Sequence, residues 1–128
     1  MGKFVFRKEE RLRKEKIIQE LFSKGSSFYL FPFKVFVLPN PDQSSSFHQV
    51  LLSASKRNFK KAVDRNLIKR RMREAYRLQK ELLPTSTKMF LGFVYTHKEI
   101  LLFDEIQRKM NQCLVRLGKM PMIMEKPS

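Results

Sequence analysis

The chain has 128 residues, is 42% hydrophobic and contains one cysteine, Cys113. That length fits one domain around one core; the hydrophobic content argues against wholesale disorder, the single cysteine excludes an intrachain disulfide and a multi-cysteine zinc site, and a reducing cytoplasm is expected. Twenty-seven Lys and Arg against twelve Asp and Glu leave a formal net charge of +15, which calls for a polyanionic partner, nucleic acid ahead of an anionic membrane surface.

Residues 1–9 read as a basic arm. A first helix is expected over 10–23, where Leu12, Ile17, Ile18, Leu21 and Phe22 make an apolar stripe and Gly25 supplies the stop. Residues 28–38, aromatic and β-branched, read as a strand whose beginning Pro32 assigns to an edge or a bulge. Residues 39–46 are a loop by composition, and 47–55 a second strand. The major helix is expected over 62–83, stopping before Pro84, with a third strand over 88–96. A last helix over 102–117 should bury Leu102, Ile106, Met110, Cys113, Leu114 and Leu117 and end at Gly118, leaving 119–128 as a tail. The order is αββαβα, an α+β domain over 10–118. A helix between the second and third strands predicts that those two strands are parallel. No run of about 18 apolar residues occurs, so no membrane-spanning helix is expected.

Residues 56–80 hold eleven basic residues and two acids, Asp64 and Glu74, which is nine of the fifteen net charges. On a helical wheel, Val63, Leu67, Ile68, Met72, Ala75, Leu78 and Leu82 fall on one side. Arg65, Asn66, Lys69, Arg70, Arg73, Arg77 and Lys80 fall on the other, and Arg71 sits among the apolar positions, where its stem packs and its head snorkels. An ordinary solvated face mixes both signs. This one is almost free of acid, which favours a cationic ridge for nucleic acid over a merely solvated face. The planar fork of Arg suits phosphate. Asn66 offers a neutral donor and acceptor for a base edge or a 2′-hydroxyl, or is an ordinary exposed polar residue. Lys56, Arg57, Lys60 and Lys61 lead into a helix start that itself favours anions. Of the 12 Phe and 3 Tyr, most are needed for the core, with Phe22 and Phe36 as candidate stacking surfaces for unpaired bases.

Catalytic side chains are not in evidence. His48 and His97 are isolated, Cys113 lies on an apolar stripe, and the acids of Glu9-Glu10 and Asp104-Glu105 are adjacent, which does not bring two carboxylates together on a helix. No glycine-rich phosphate loop occurs among the four glycines.

The segment 55–76 resembles the signature of the bacterial ribonuclease P protein component. It reads Ser55-Lys56-Arg57, Ala62-Val63, Arg65-Asn66-Leu67, Lys69-Arg70 and Arg73-Glu74-Ala75. The flanks agree, from Arg11-Leu12 through Leu21-Phe22 and Gly25 to the strand over 33–38. Three positions depart from the family pattern. Leu67 replaces the third residue of an Arg-Asn-Arg triplet, Phe59-Lys60-Lys61 replaces a turn that often holds Gly, and Ile18 stands where an aromatic is common. The resemblance implies a two-layer sandwich like ribosomal protein S5 domain 2, with a left-handed βαβ crossover that general handedness rules would not predict.

The resemblance also implies an accessory subunit of a ribozyme that removes the 5′ leader of precursor tRNA, with Mg2+ held chiefly by RNA. Phe22 and Phe36 would stack leader bases in a cleft between the sheet and the major helix. Arg65, Asn66, Lys69, Arg70, Arg73 and Arg77 would contact the catalytic RNA and the leader backbone, and Lys56 and Arg57 would support docking. A structural ribosomal protein would share the charge and size. A helix that reads duplex DNA fits poorly beside the predicted strands.

Overall fold

The computed structural model describes residues 6–120, so residues 1–5 of the expected arm and 121–128 of the expected tail lie outside the described residues. After a 3-10 turn at Lys8–Glu10, the chain forms α1 (Glu15–Lys24), β1 (Ser26–Leu30), β2 (Phe33–Pro39), β3 (Gln49–Ala54) and α2 (Ala62–Gln79). A 3-10 turn at Lys80–Leu82 leads to β4 (Met89–Tyr95) and α3 (Phe103–Lys119). The four strands make one sheet in the order β1-β2-β4-β3. β2 is antiparallel to both β1 and β4, and β3 and β4 are parallel as expected.

The single strand expected over 28–38 is instead a hairpin. Leu30 pairs with Phe33, and the chain reverses at Phe31-Pro32, whose peptide is cis. The beginning of that run, β1, does lie at the sheet edge as expected, but Pro32 marks a chain reversal, so the single strand is corrected to two and the sheet gains a strand.

Alternation on the strands sets the two faces. Phe33, Val35 and Val37 of β2 and Met89, Leu91, Phe93 and Tyr95 of β4 are buried against α2 and α3, in a core shared with Ile68, Met72, Tyr76, Ile106, Met110 and Leu114. The opposite face carries a smaller cluster, in which Leu21 of α1 packs with Leu12 and Phe90, flanked by Ile17, Ile18, Phe36, Leu38 and Leu51. The sheet and the α2–α3 pair are the two layers, and α1 covers part of the second face. β4, flanked by strands on both sides, is apolar along nearly its whole length.

α1 begins later than its apolar pattern suggests. Arg11 bridges to Val50 in parallel register, and the Leu12 amide donates to the Val50 carbonyl at 2.9 Å. Leu12 therefore belongs to the sheet edge rather than to the helix stripe. A side chain at Gly25 would come within 2.5 Å of the Leu21 carbonyl oxygen and 2.9 Å of that of Val37, so only glycine passes between helix end and strand.

The buried stripe of α2 is Ile68, Met72, Ala75 and Tyr76. It is rotated from the expected one: Val63 is 68% exposed and Leu82 is exposed, while Tyr76, which the wheel left aside, is fully inside. Leu102 is likewise not core. It caps the start of α3 and is 73% exposed. α3 runs through Gly118 to Lys119, because a lone glycine costs a helix only about 1 kcal/mol.

Candidate nucleic-acid interface

Phe22 and Phe36 meet on the sheet face opposite α2. Their rings pack edge to face with centroids 4.7 Å apart at 75°, and Phe22 is 41% exposed. Gly92 makes room for this, since a side chain there would press within 3.1 Å of Leu21 and 3.6 Å of Phe22. The Lys34 ammonium lies 5.4 Å from the Phe36 ring centre. The pair thus presents an aromatic edge to solvent with a cation beside it, a surface suited to an unpaired base and its phosphate.

The basic residues of α2 are not equivalent. Arg70 and Asn66 are exposed, and Lys69 is half-buried. Arg65 is turned back on its own entry loop, donating through Nη1 to the carbonyls of Phe59 at 2.7 Å and Lys60 at 3.0 Å. Arg77 bonds Glu74 at 2.6 Å, which holds the Glu74 carboxyl below its usual range. Arg71 packs its stem as expected, and its Nη1 donates to the Leu101 carbonyl at 2.6 Å. Lys80 is withdrawn from the ridge: its ammonium contacts both oxygens of buried Glu10, at 3.0 and 2.9 Å. Leu67 is half-buried and lines a shallow groove with Phe103, Arg70, Arg71 and Glu74.

Lys56 and Arg57 are exposed on the turn after β3. The loop they open is held by Phe59, which is buried against Tyr95 with ring centres 5.9 Å apart, and by Asn58, which donates to the Thr96 carbonyl at 2.8 Å. The loop without Gly is thus anchored in the core, where a Gly-containing turn would have no side chain to anchor it.

The aromatic pair and the α2 ridge lie on opposite sides of the sheet, so they do not face each other across one cleft. They connect around the outer edge of β3. There Arg73 of α2 lines a cavity of about 160 Å³ with Arg11, Arg13, Phe6, Leu12 and Val50–Leu52. The lining holds three arginines and no acid. The Nε of Arg73 is buried with no hydrogen-bond partner among the described residues. A buried donor left unmade costs about 1–3 kcal/mol, and an anion in the cavity would relieve it. Arg11 enters the sequence reading only as a flank of the family signature, and neither it nor Arg13 is among the RNA-binding residues expected from sequence. Their segment pairs with β3 in register, a placement that charge pattern alone does not give.

Other reactive groups have structural roles. Burial pushes the Cys113 thiol up to about 12, far from a nucleophile at neutral pH. His48 donates from Nε2 to the Pro84 carbonyl at 2.7 Å and accepts the Met89 amide at Nδ1, 3.1 Å, and burial lowers its pKa. Among the described residues no group of three or more His, Cys, Asp or Glu side chains could hold a metal ion, and no helix is long and apolar enough to cross a membrane.

Comparison with known proteins gives one family. The Ribonuclease P family model matches residues 6–118. The ribonuclease P protein component of Porphyromonas gingivalis is 32% identical over 124 residues, covering 92% of this chain and 90% of that protein. That of Chlorobium phaeobacteroides is 45% identical over 82 residues, 62% of this chain and 56% of that protein. The RNase P protein from Thermotoga maritima superposes with a TM-score of 0.70 at 24% identity, covering 84% of this chain and 96% of that one. The Staphylococcus aureus RNase P protein does so with 0.69 at 22%, covering 86% and 95%. At those identities the two solved structures bear on the fold alone, and the fold they share is the mixed four-stranded sheet with three helices described above. With sequence similarity across nearly the whole described chain, this chain belongs to the ribonuclease P protein family.

Proposed function

We propose that this subunit of ribonuclease P works in the cytoplasm by holding two RNAs at once: the catalytic RNA on the α2 ridge, and the 5′ leader of precursor tRNA on the open sheet face. The observation that carries this reading is the separation of two RNA-type surfaces, the Phe22–Phe36 pair with Lys34 and the Arg-rich side of α2, joined by Arg11, Arg13 and Arg73 at the β3 edge. Bases of the single-stranded leader stack on the aromatic pair. Arg65, Asn66, Lys69, Arg70 and Arg77, with Lys56 and Arg57, meet the catalytic RNA, and Arg73 takes a backbone phosphate where the two surfaces meet.

The chain supplies binding and screening of charge, and the RNA subunit performs the endonucleolytic cleavage. Mg2+ is held by RNA oxygens, and no step is assigned to a metal on the protein. A structural rRNA binder would use the same charge but has no use for a partly exposed aromatic pair on the face away from its basic helix.

The test is Phe36→Ala in the holoenzyme reconstituted with ribonuclease P RNA. Affinity for precursor tRNA should fall about fivefold to a hundredfold, the worth of one stacked base, with little change for mature tRNA. Equal loss for both RNAs would make Phe36 a core residue only and remove the leader from this face.

A further inference from the structure

We propose that Tyr29 is a further base-stacking position for the leader, with Lys34 holding the phosphate between the base at Phe36 and the base at Tyr29. This rests on the leader-binding reading above and extends the strand's path beyond Phe36.

Strand register carries the placement. Ser27 lies opposite Phe36 and Tyr29 opposite Lys34 across β1 and β2. Across β2 and β4, Gly92 lies opposite Phe36 and Val94 opposite Lys34, and β3 adds Leu51 and Ser53. Directly paired residues share a face. The face away from α2 and α3 therefore shows two neighbouring rows, Ser27–Phe36–Gly92–Leu51 and Tyr29–Lys34–Val94–Ser53. α1 lies over the first through Leu21 and Phe22. Among the described residues no helix lies over the second: Tyr29 is 58% exposed and Lys34 is exposed.

A single exposed aromatic is ordinary on a protein surface. The surroundings of Tyr29 are not. It has no ring or hydrogen-bond partner among the described residues. It stands diagonally across the ladder from Phe36, and such neighbours lie about 7–8 Å apart, a gap that one extended nucleotide step spans. Lys34 lies directly opposite Tyr29 and two residues from Phe36 on β2, and its ammonium is 5.4 Å from the centre of the Phe36 ring. Neither row contains an acid. Beyond Ser53 the chain runs into Lys56 and Arg57, so a strand leaving this row meets further positive charge. Stacked rings with interleaved cations and no acid suit a single RNA strand, and would repel a second copy of a chain with net charge +15.

The experiment uses the holoenzyme with precursor tRNAs whose leaders grow one nucleotide at a time, comparing wild type with Tyr29→Ala, Tyr29→Phe and Phe36→Ala. Tyr29→Ala should weaken binding about tenfold. The loss should set in at a leader length one nucleotide removed from that at which Phe36→Ala acts. Tyr29→Phe, which keeps the ring, should bind as wild type. A Tyr29→Ala loss that is the same at every length, or absent at every length while Phe36→Ala stays leader-dependent, would overturn the Tyr29 site and leave the leader reading standing. Should neither variant depend on the leader, both fall together. Tyr29→Phe matching Tyr29→Ala would also exclude stacking.

Discussion

Among the arginines of α2, only Arg70 is exposed at its position on the ridge, whereas Arg65, Arg71 and Arg77 are each already hydrogen-bonded within the protein. A guanidinium that is free to meet a phosphate releases a counterion when it does so. Arg70→Ala should therefore weaken binding to ribonuclease P RNA and lower the magnitude of the salt slope by about one unit, measured by affinity across a salt series. Arg77→Ala should move the slope less, because Glu74 already pairs with that charge. An unchanged slope in Arg70→Ala would take Arg70 out of the interface. Charge was legible in the sequence at this scale, but engagement was not. Arg71 finds its acceptor 30 residues away at Leu101, and Lys80 finds Glu10 70 residues away, distances over which local pattern carries no information.

The elements themselves followed from periodicity wherever one neighbour decided the burial. β4 and α3 fell close to their expected bounds, since a continuous apolar run and a clean amphipathic stripe admit few other readings. Two elements did not. The β1–β2 hairpin reads as one strand because Leu30-Phe31-Pro32-Phe33 carries none of the Gly or Asn that usually mark such a turn. The segment before α1 reads as helix because Leu12 fits the stripe, although its backbone pairs with Val50.

His48 ties the start of β3 to the segment before β4 by using both ring nitrogens. That arrangement requires the neutral ring, since Nδ1 must accept. Burial lowers its folded-state pKa below the usual 6.5, with Lys88 acting in the same direction and the Pro84 bond and Glu10 opposing. The unfolded chain thus takes up the proton first as pH falls. The contribution of His48 to stability is complete above about 6.5 and is lost as pH falls through its folded pKa. Thermal unfolding between pH 7.5 and 5 should show a falling melting temperature in wild type and a flatter profile in His48→Asn, which starts lower. Parallel profiles would show that His48 is not the group responsible.

For the whole molecule, the net charge, the parallel β3–β4 pair and the helix that joins them were all legible, because each depends on composition or on element order. The candidate site was legible as residues and not as a surface. Phe22, Phe36 and the basic residues of α2 could be singled out, yet a cleft between sheet and α2 was the wrong shape for them. The faces are fixed by strand register, which places Phe36 on the side of α1 and α2 on the other. A protein with +15 net charge that exposes basic residues on both sides of its sheet, Arg70 on α2 and Lys34 on the open face, is suited to lowering the repulsion between two RNAs, which is largest when few divalent cations are present. The most direct test is accurate 5′ cleavage of precursor tRNA at low Mg2+ by the cognate ribonuclease P RNA, with and without this protein. Restored cleavage at the correct site with both present, and none with protein alone, is the predicted result. Cleavage no better with the protein than without it, while the protein still binds the RNA, would contradict it.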